Sequence, residues 1–170
     1  FGANQFYGDA PSRERTSSTL AVFDNKTSGP GGTVVSTRTY YRTHGDRFVW
    51  DLRQPEIFEN RHRTHTAGTR LAVTRGLSES SSLVLGSELG GEWIRSGSLG
   101  DHRFFRSGLF AQLRVATTGD ASLTAGLRWD YTTAFSGSLS PSVSYGRWIH
   151  PSLRLRASAG HAFRIPTFTE

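Results

Sequence analysis

The sequence predicts an all-β fold: a transmembrane antiparallel β-barrel segment of about eight strands, with no helical domain. Three observations predict it. Apolar and polar side chains alternate with period two along many segments, so each strand has one apolar and one polar face. The best segments run to about 11 residues, matching the roughly 9–11 that a tilted strand needs to cross a bilayer and exceeding the usual five or six of soluble sheets. The connections alternate between short and longer, as they do in barrels with brief periplasmic turns and larger extracellular loops.

The first three strands carry the pattern weakly, near residues 13–23, 33–45 and 62–75. Between them lie the Gly/Pro-rich turn from Asn25 to Gly32 and a long loop from Asp46 to Arg61. A short turn from Gly76 to Ser81 leads into the fourth strand, where Leu83, Leu85, Leu89 and Trp93 alternate with Gly86, Glu88, Gly90 and Glu92. A longer connection, Ser96 to Arg103, precedes the fifth. There Phe105, Leu109, Ala111, Leu113 and Val115 oppose Arg106, Gly108, Phe110, Gln112 and Arg114. After the turn Thr118 to Asp120, Leu123, Ala125, Leu127, Trp129 and Tyr131 alternate with Thr124, Gly126, Arg128 and Asp130. These two segments read as a hairpin. The connection from Ala134 to Ser140 leads to a seventh strand near 141–149. The short His150-Pro151-Ser152 then opens the eighth, with Leu153, Leu155, Ala157 and Ala159 against Arg154, Arg156, Ser158 and Gly160. No segment shows the spacings of three and four that a helix requires. On this assignment the first strand runs towards the periplasm and the eighth outward.

Composition narrows the class. Only 35% of the 170 residues are hydrophobic and the mean hydropathy is −0.43, yet 4 Trp, 5 Tyr and 11 Phe are too many aromatics for a disordered segment. Strands that bury one face and wet the other reconcile the two. The longest unbroken apolar run, Leu20 to Phe23, is far short of the roughly 20 residues of a membrane-crossing helix. Zero Cys excludes disulfides and thiolate metal sites. The net charge of +6 comes almost wholly from arginine, Lys26 being the only lysine. These arginines are spread along the chain rather than gathered in a patch, so no nucleic-acid partner is expected. No signal peptide is visible and Met is absent, so the chain is expected to be cut or processed from something longer.

Several segments resemble the barrel of TonB-dependent outer-membrane receptors, the branch similar to cobalamin and siderophore transporters. Phe1 to Gly8 resembles their Phe-Gly-Ala-Asn-x-Phe-Tyr segment, and Tyr40 to Phe48 a Tyr-Tyr-Arg-Arg-His-x-Asp-x-Phe strand and loop. Asn60 to Thr64 resembles an Asn-x-His-Arg-Thr strand start, and Ile94 to His102 an Ile-x-Ser-x-x-Leu-Gly-x-His loop. Ala162 to Glu170 resembles the Phe-Arg-x-Pro-Thr-Phe-x-Glu-Leu motif. The resemblance covers nearly the whole chain and keeps the family's order. It implies a barrel of about 22 strands in the bacterial outer membrane, filled by a separate plug domain. It also implies active uptake of a scarce small nutrient, an iron-siderophore, cobalamin or similar, powered by the TonB complex through a TonB box. No plug, TonB box or signal peptide lies within residues 1–170, so the whole chain is expected to be part of a barrel domain, an internal fragment. No enzymatic activity and no cofactor is implied.

Glu88 and Glu92 invite an acid–base reading. On a strand, four residues at about 3.3 Å each set them roughly 13 Å apart, too far for either glycosidase geometry. They are expected instead on a wet luminal face with Arg106, Gln112, Arg114, Arg128, Asp130, Arg154 and Arg156. That face would form an inter-strand salt-bridge ladder and dock the plug, or guide a charged ligand. Trp93, Trp129, Tyr131, Tyr145 and Trp148 lie near strand ends and read as interfacial aromatics against outer-membrane lipid. His44, His62, His65 and His102 fall towards the extracellular ends. His62 and His65, three apart on a strand, face opposite ways, so no metal site is expected. Two alternatives remain: a complete eight-stranded barrel, structural or enzymatic, and a soluble β-sandwich binding sugars or nucleic acid.

Overall fold

In a computed structural model, residues 10–117, 120–133 and 136–162 are described. The Phe1–Gly8 motif and all but the first residue of the Ala162–Glu170 motif lie outside them. The chain forms one eight-stranded sheet in sequence order: β1 (Arg13–Ser28), β2 (Val34–Val49), β3 (Glu59–Ser78), β4 (Ser81–Ser96), β5 (Gly100–Thr117), β6 (Ala121–Thr132), β7 (Ser138–His150) and β8 (Leu153–Gly160). β1 and β8 stand at the two ends of this order, and no ladder joins them among the described residues. A short 3₁₀ turn, Pro30–Gly32, joins β1 to β2, with Gly31 and Gly32 at φ of 63° and 71°. Both angles are in the left-handed region, which glycine enters without a Cβ penalty.

Most strands are longer than the alternation suggests, up to 20 residues in β3. One consequence corrects the expected loops. The connection expected from Ser96 to Arg103 shrinks to residues 97–99, because β4 continues to Ser96 and β5 starts at Gly100. The Ser96 hydroxyl accepts the N–H groups of Ser98 (3.2 Å) and Leu99 (2.9 Å), while the His102 imidazole donates to the Leu99 carbonyl (2.6 Å). Gly100 completes the reversal at φ 78°. Such hydroxyl-to-backbone bonds nucleate tight turns. The connection between β2 and β3, residues 50–58, stays long and is closed at its neck by Trp50 N–H to the Phe58 carbonyl (3.2 Å).

Registers run antiparallel and unbroken through the β5–β6 and β6–β7 ladders. The β7–β8 ladder slips by one residue between Trp148 and His150, a bulge beside the turn. Contacts gather the chain into two units. One comprises Phe1–Val22, Tyr40–Ala67 and Gly91–Phe104; the other comprises Phe23–Thr39, Gly68–Gly90 and Phe105–Glu170.

Burial is inverted relative to a water-soluble sheet. Along β6, Leu123, Ala125, Leu127, Trp129 and Tyr131 are exposed, while Ser122, Thr124, Gly126, Arg128 and Asp130 are half-buried. Leu127 keeps 48% of its surface open, and no large side chain is fully buried among the described residues. The sandwich alternative requires a second sheet over the apolar faces. All eight strands lie in one sheet, so that alternative is set aside.

Candidate functional site

The ladders sort the site residues by face. Across β5 and β6, Arg106 pairs with Thr132, Gly108 with Asp130, Phe110 with Arg128, Gln112 with Gly126 and Arg114 with Thr124. Across β6 and β7, Thr124, Gly126, Arg128 and Asp130 meet Ser144, Ser142, Ser140 and Ser138. On β8, Arg156 opposes Gly146 and Arg154 opposes Trp148. Side chains directly opposite share a face. Arg106, Gln112, Arg114, Arg128, Asp130, Arg154 and Arg156 therefore lie on one polar face.

Three of the anticipated residues meet in a charged network, and a fourth joins them. The Arg128 guanidinium bonds Asp130 on its own strand (2.7 Å) and Glu88 on β4 (2.7 Å). Glu88 also pairs with Arg70 of β3 (3.3 Å). Two arginines thus balance two carboxylates over four strands. The chemistry is that of a charge-neutral clamp between strands, each pair of this exposure contributing about 0.2–1 kcal/mol.

Glycine makes the span possible. β5 lies between β4 and β6, so Arg128 must reach across it to touch Glu88. It does so at Gly108, where an added Cβ would stand 2.8 Å from the Arg128 Nη2 and 2.9 Å from the Asp130 Oδ1. Phe110, also on the polar face, lies over Gly86, and the Arg70 guanidinium caps its ring at 4.6 Å. Arg70 is not among the residues the sequence singles out, and Gly86, Gly108 and Phe110 stand there only as polar-face positions without a role. The available signal was two glycines and an aromatic at one parity on neighbouring strands, which marks a close approach.

Other expected luminal residues stand apart from this network. Glu92, Arg114 and Arg156 form no ion pair among the described residues. Arg154 donates to the Ser122 hydroxyl (3.4 Å) and lies 5.6 Å over the Trp148 ring. Trp148 itself differs from the expectation for interfacial aromatics. Its register partner is Arg154, which puts it on the polar face, whereas Tyr145 opposes Leu123 and Ala157 on the apolar one. Trp129 and Tyr131 stack on that apolar face, ring centroids 6.2 Å apart.

The histidines separate as well. His65 is sandwiched between Tyr41 and Trp93, both at 6.0 Å, and its Nδ1 meets the Tyr41 hydroxyl at 2.6 Å. His62 contacts Asn60 through Nε2 (2.7 Å), and His102 serves the turn described above. No group of three metal-ligating side chains occurs among the described residues. At the start of β3, Glu59 is bonded by Arg47 (2.7 Å) and by Arg61. First Arg47 and then Arg61 hold its carboxyl down to about 2.

Comparison with known proteins places this geometry. The sequence matches the family described as TonB dependent receptor-like, beta-barrel, over residues 1–170. No curated protein matches it in sequence. Among solved structures, the siderophore receptor PirA from Pseudomonas aeruginosa is 15% identical over 91% of this chain and 29% of its own, with a TM-score of 0.69. The FrpB iron transporter from Neisseria meningitidis is 16% identical over 90% of this chain and 30% of its own, at 0.76. PirA from Acinetobacter baumannii is 10% identical over 90% and 26%, at 0.78. At these identities the likeness is one of fold, and the chain spans under a third of each structure's length.

Proposed function

Because the chain belongs to the TonB-dependent receptor-like β-barrel family, we propose that it walls part of an outer-membrane transporter for active uptake of a scarce nutrient. A ferric siderophore is the first candidate cargo, since the similar structures are siderophore and iron receptors; cobalamin is the second. The observation that carries the reading is the inverted burial of β6, with leucines and aromatics on the open face and Arg128 and Asp130 on the covered one. A strand in lipid needs that arrangement, apolar towards the acyl chains and polar towards a wet lumen.

In this reading residues 1–170 belong to the barrel domain, and the Arg70–Glu88–Arg128–Asp130 network holds the wall in register on its luminal side. Glu92, Arg106, Gln112, Arg114, Arg154 and Arg156 then supply polar groups to the plug domain or to a passing ligand. Outer-membrane lipid, the plug and the TonB complex are the partners, and the small nutrient is carried without chemical change. The alternative of a complete eight-stranded barrel calls for β1 to pair with β8, and the linear strand order speaks against it.

The test is uptake of radiolabelled ferric siderophore by iron-starved cells with and without the gene. Loss of uptake on deletion, restoration by the whole protein and abolition by a protonophore are the expected results. Unchanged uptake of both iron and cobalamin in the deletion strain would sink the proposal.

A further inference from the structure

The unit made of Phe1–Val22, Tyr40–Ala67 and Gly91–Phe104 carries a feature that transport does not require. Tyr41, His65 and Trp93 form a continuous ring stack across β2, β3 and β4. Trp93 has the parity of Leu83, Leu85 and Leu89 on β4, the apolar and open side of that strand. Further along each strand, at the same parity, stand arginines: Arg47 on β2, Arg61 and Arg63 on β3, and Arg95 on β4. Arg63 and Arg95 lie only two residues from His65 and Trp93, about 7 Å along the strand. All four, with Arg15, line a single cleft of about 630 Å³.

The charges in that cleft do not cancel. Five arginines face two aspartates, Asp46 and Asp101. Arg47 and Arg61 are held by Glu59, whereas Arg15, Arg63 and Arg95 form no ion pair among the described residues. An aromatic stack on a lipid-facing surface marks the boundary between acyl chains and headgroups. Guanidinium groups one short step beyond it stand at the depth of the lipid phosphates, and their planar forks match a phosphate's oxygens two at a time.

We infer that this cleft binds the phosphorylated headgroup of an outer-leaflet lipid, with Arg63 and Arg95 gripping the phosphate and the Tyr41–His65–Trp93 stack resting on the chains below. The inference rests on the barrel reading above. Charge complementarity and the adjoining apolar stack together select a lipid over a free anion. A free phosphate satisfies the arginines but has nothing to lay against the rings.

The experiment uses the whole protein in nanodiscs of phosphatidylcholine, alone or mixed with phosphatidic acid as the phosphomonoester probe. Lipid retained after extraction is counted by native mass spectrometry. The wild type should retain phosphatidic acid preferentially. Arg63→Gln/Arg95→Gln should lower that preference roughly tenfold while remaining folded by its heat-shifted gel mobility. Equal preference in the variant overturns the inference, as does displacement of the lipid by inorganic phosphate at a comparable concentration. Quenching of Trp93 by chain-brominated lipid, taken as the difference from Trp93→Phe, separates the two levels of the argument. An unquenched Trp93 removes the membrane face and both proposals with it; a quenched Trp93 with an unaltered variant removes the headgroup site alone.

Discussion

Adding a single methyl group at Gly86 tests whether the polar face is packed as described. A Cβ built there falls 2.2 Å from the Phe110 Cζ, 2.6 Å from its Cε1 and 2.7 Å from the Leu71 carbonyl oxygen. Carbon atoms rest about 3.5 Å or more apart, so the ring must recede by about 1.3 Å. It cannot tilt away freely, because the Arg70 guanidinium lies over it at 4.6 Å and is itself paired with Glu88. The carbonyl is backbone in the adjoining strand, and moving it disturbs a ladder. Overpacking of this kind costs about 1–3 kcal/mol. Gly86→Ala should therefore lower the unfolding free energy of the whole protein, measured by urea titration in detergent micelles, by that amount. Gly76→Ala is the matched control, since its added Cβ meets nothing within 4 Å. Phe110→Leu in the Gly86→Ala background should return the share due to the ring and leave the share due to the carbonyl. If Gly86→Ala unfolds at the same urea concentration as Gly76→Ala, the packing of Phe110 against β4 is refuted.

Three further outcomes follow from the geometry. Glu88→Gln and Arg128→Gln should each destabilise, and their double variant should show a coupling of about 0.2–1 kcal/mol in the same titration; strict additivity would mean the 2.7 Å pair across β5 contributes nothing. The Glu59 carboxyl sits at about 2 when folded against an ordinary 4.5. Its depressed value means the Arg47–Glu59–Arg61 contribution is present above pH 4.5 and is lost as pH falls through about 2. Glu59→Gln should flatten the acid limb of a stability–pH profile in that window, and an identical limb in the variant would exclude the triad as its source. Asp120, at φ 59° in the β5–β6 turn, holds a left-handed conformation that β-branched residues resist. Asp120→Val should cost about 1–2 kcal/mol and Asp120→Gly nothing, and equal stability of the two would show the angle is not retained.

The alternating faces are legible in the sequence because a strand with one apolar and one polar face repeats with period two. Leu123 to Tyr131 and their polar partners fall where period two puts them. The strand ends are not legible. The alternation fades through Glu59–Thr64 and Gly100–Arg103 while the strands continue, held there by backbone pairing rather than by an apolar face. The loop expected from Ser96 to Arg103 is therefore longer than the three-residue connection observed. Of the candidate site, Glu88, Arg128 and Asp130 were visible as polar residues of one parity. Their meeting was not, since it depends on Gly108 lying between them on a strand that only the register brings there. Residue type and a place near a strand end suggest an interfacial Trp148, whereas the register with Arg154 gives it the polar face.

The slip between Trp148 and His150 has a bearing on how such a wall can change over generations. Inside β6, inserting or deleting one residue would turn every following side chain to the other face, moving Arg128 and Asp130 to the open apolar side and Leu127 to the covered polar one. Beside the β7–β8 turn the ladder already accommodates an odd residue, so a length change there can be absorbed before it reaches Ser144 or Arg156. The irregularity works as an expansion joint. Descendants of this sequence should differ in length at that joint and in the connection 50–58, while the interior of β6 keeps its residue count even as its side chains drift.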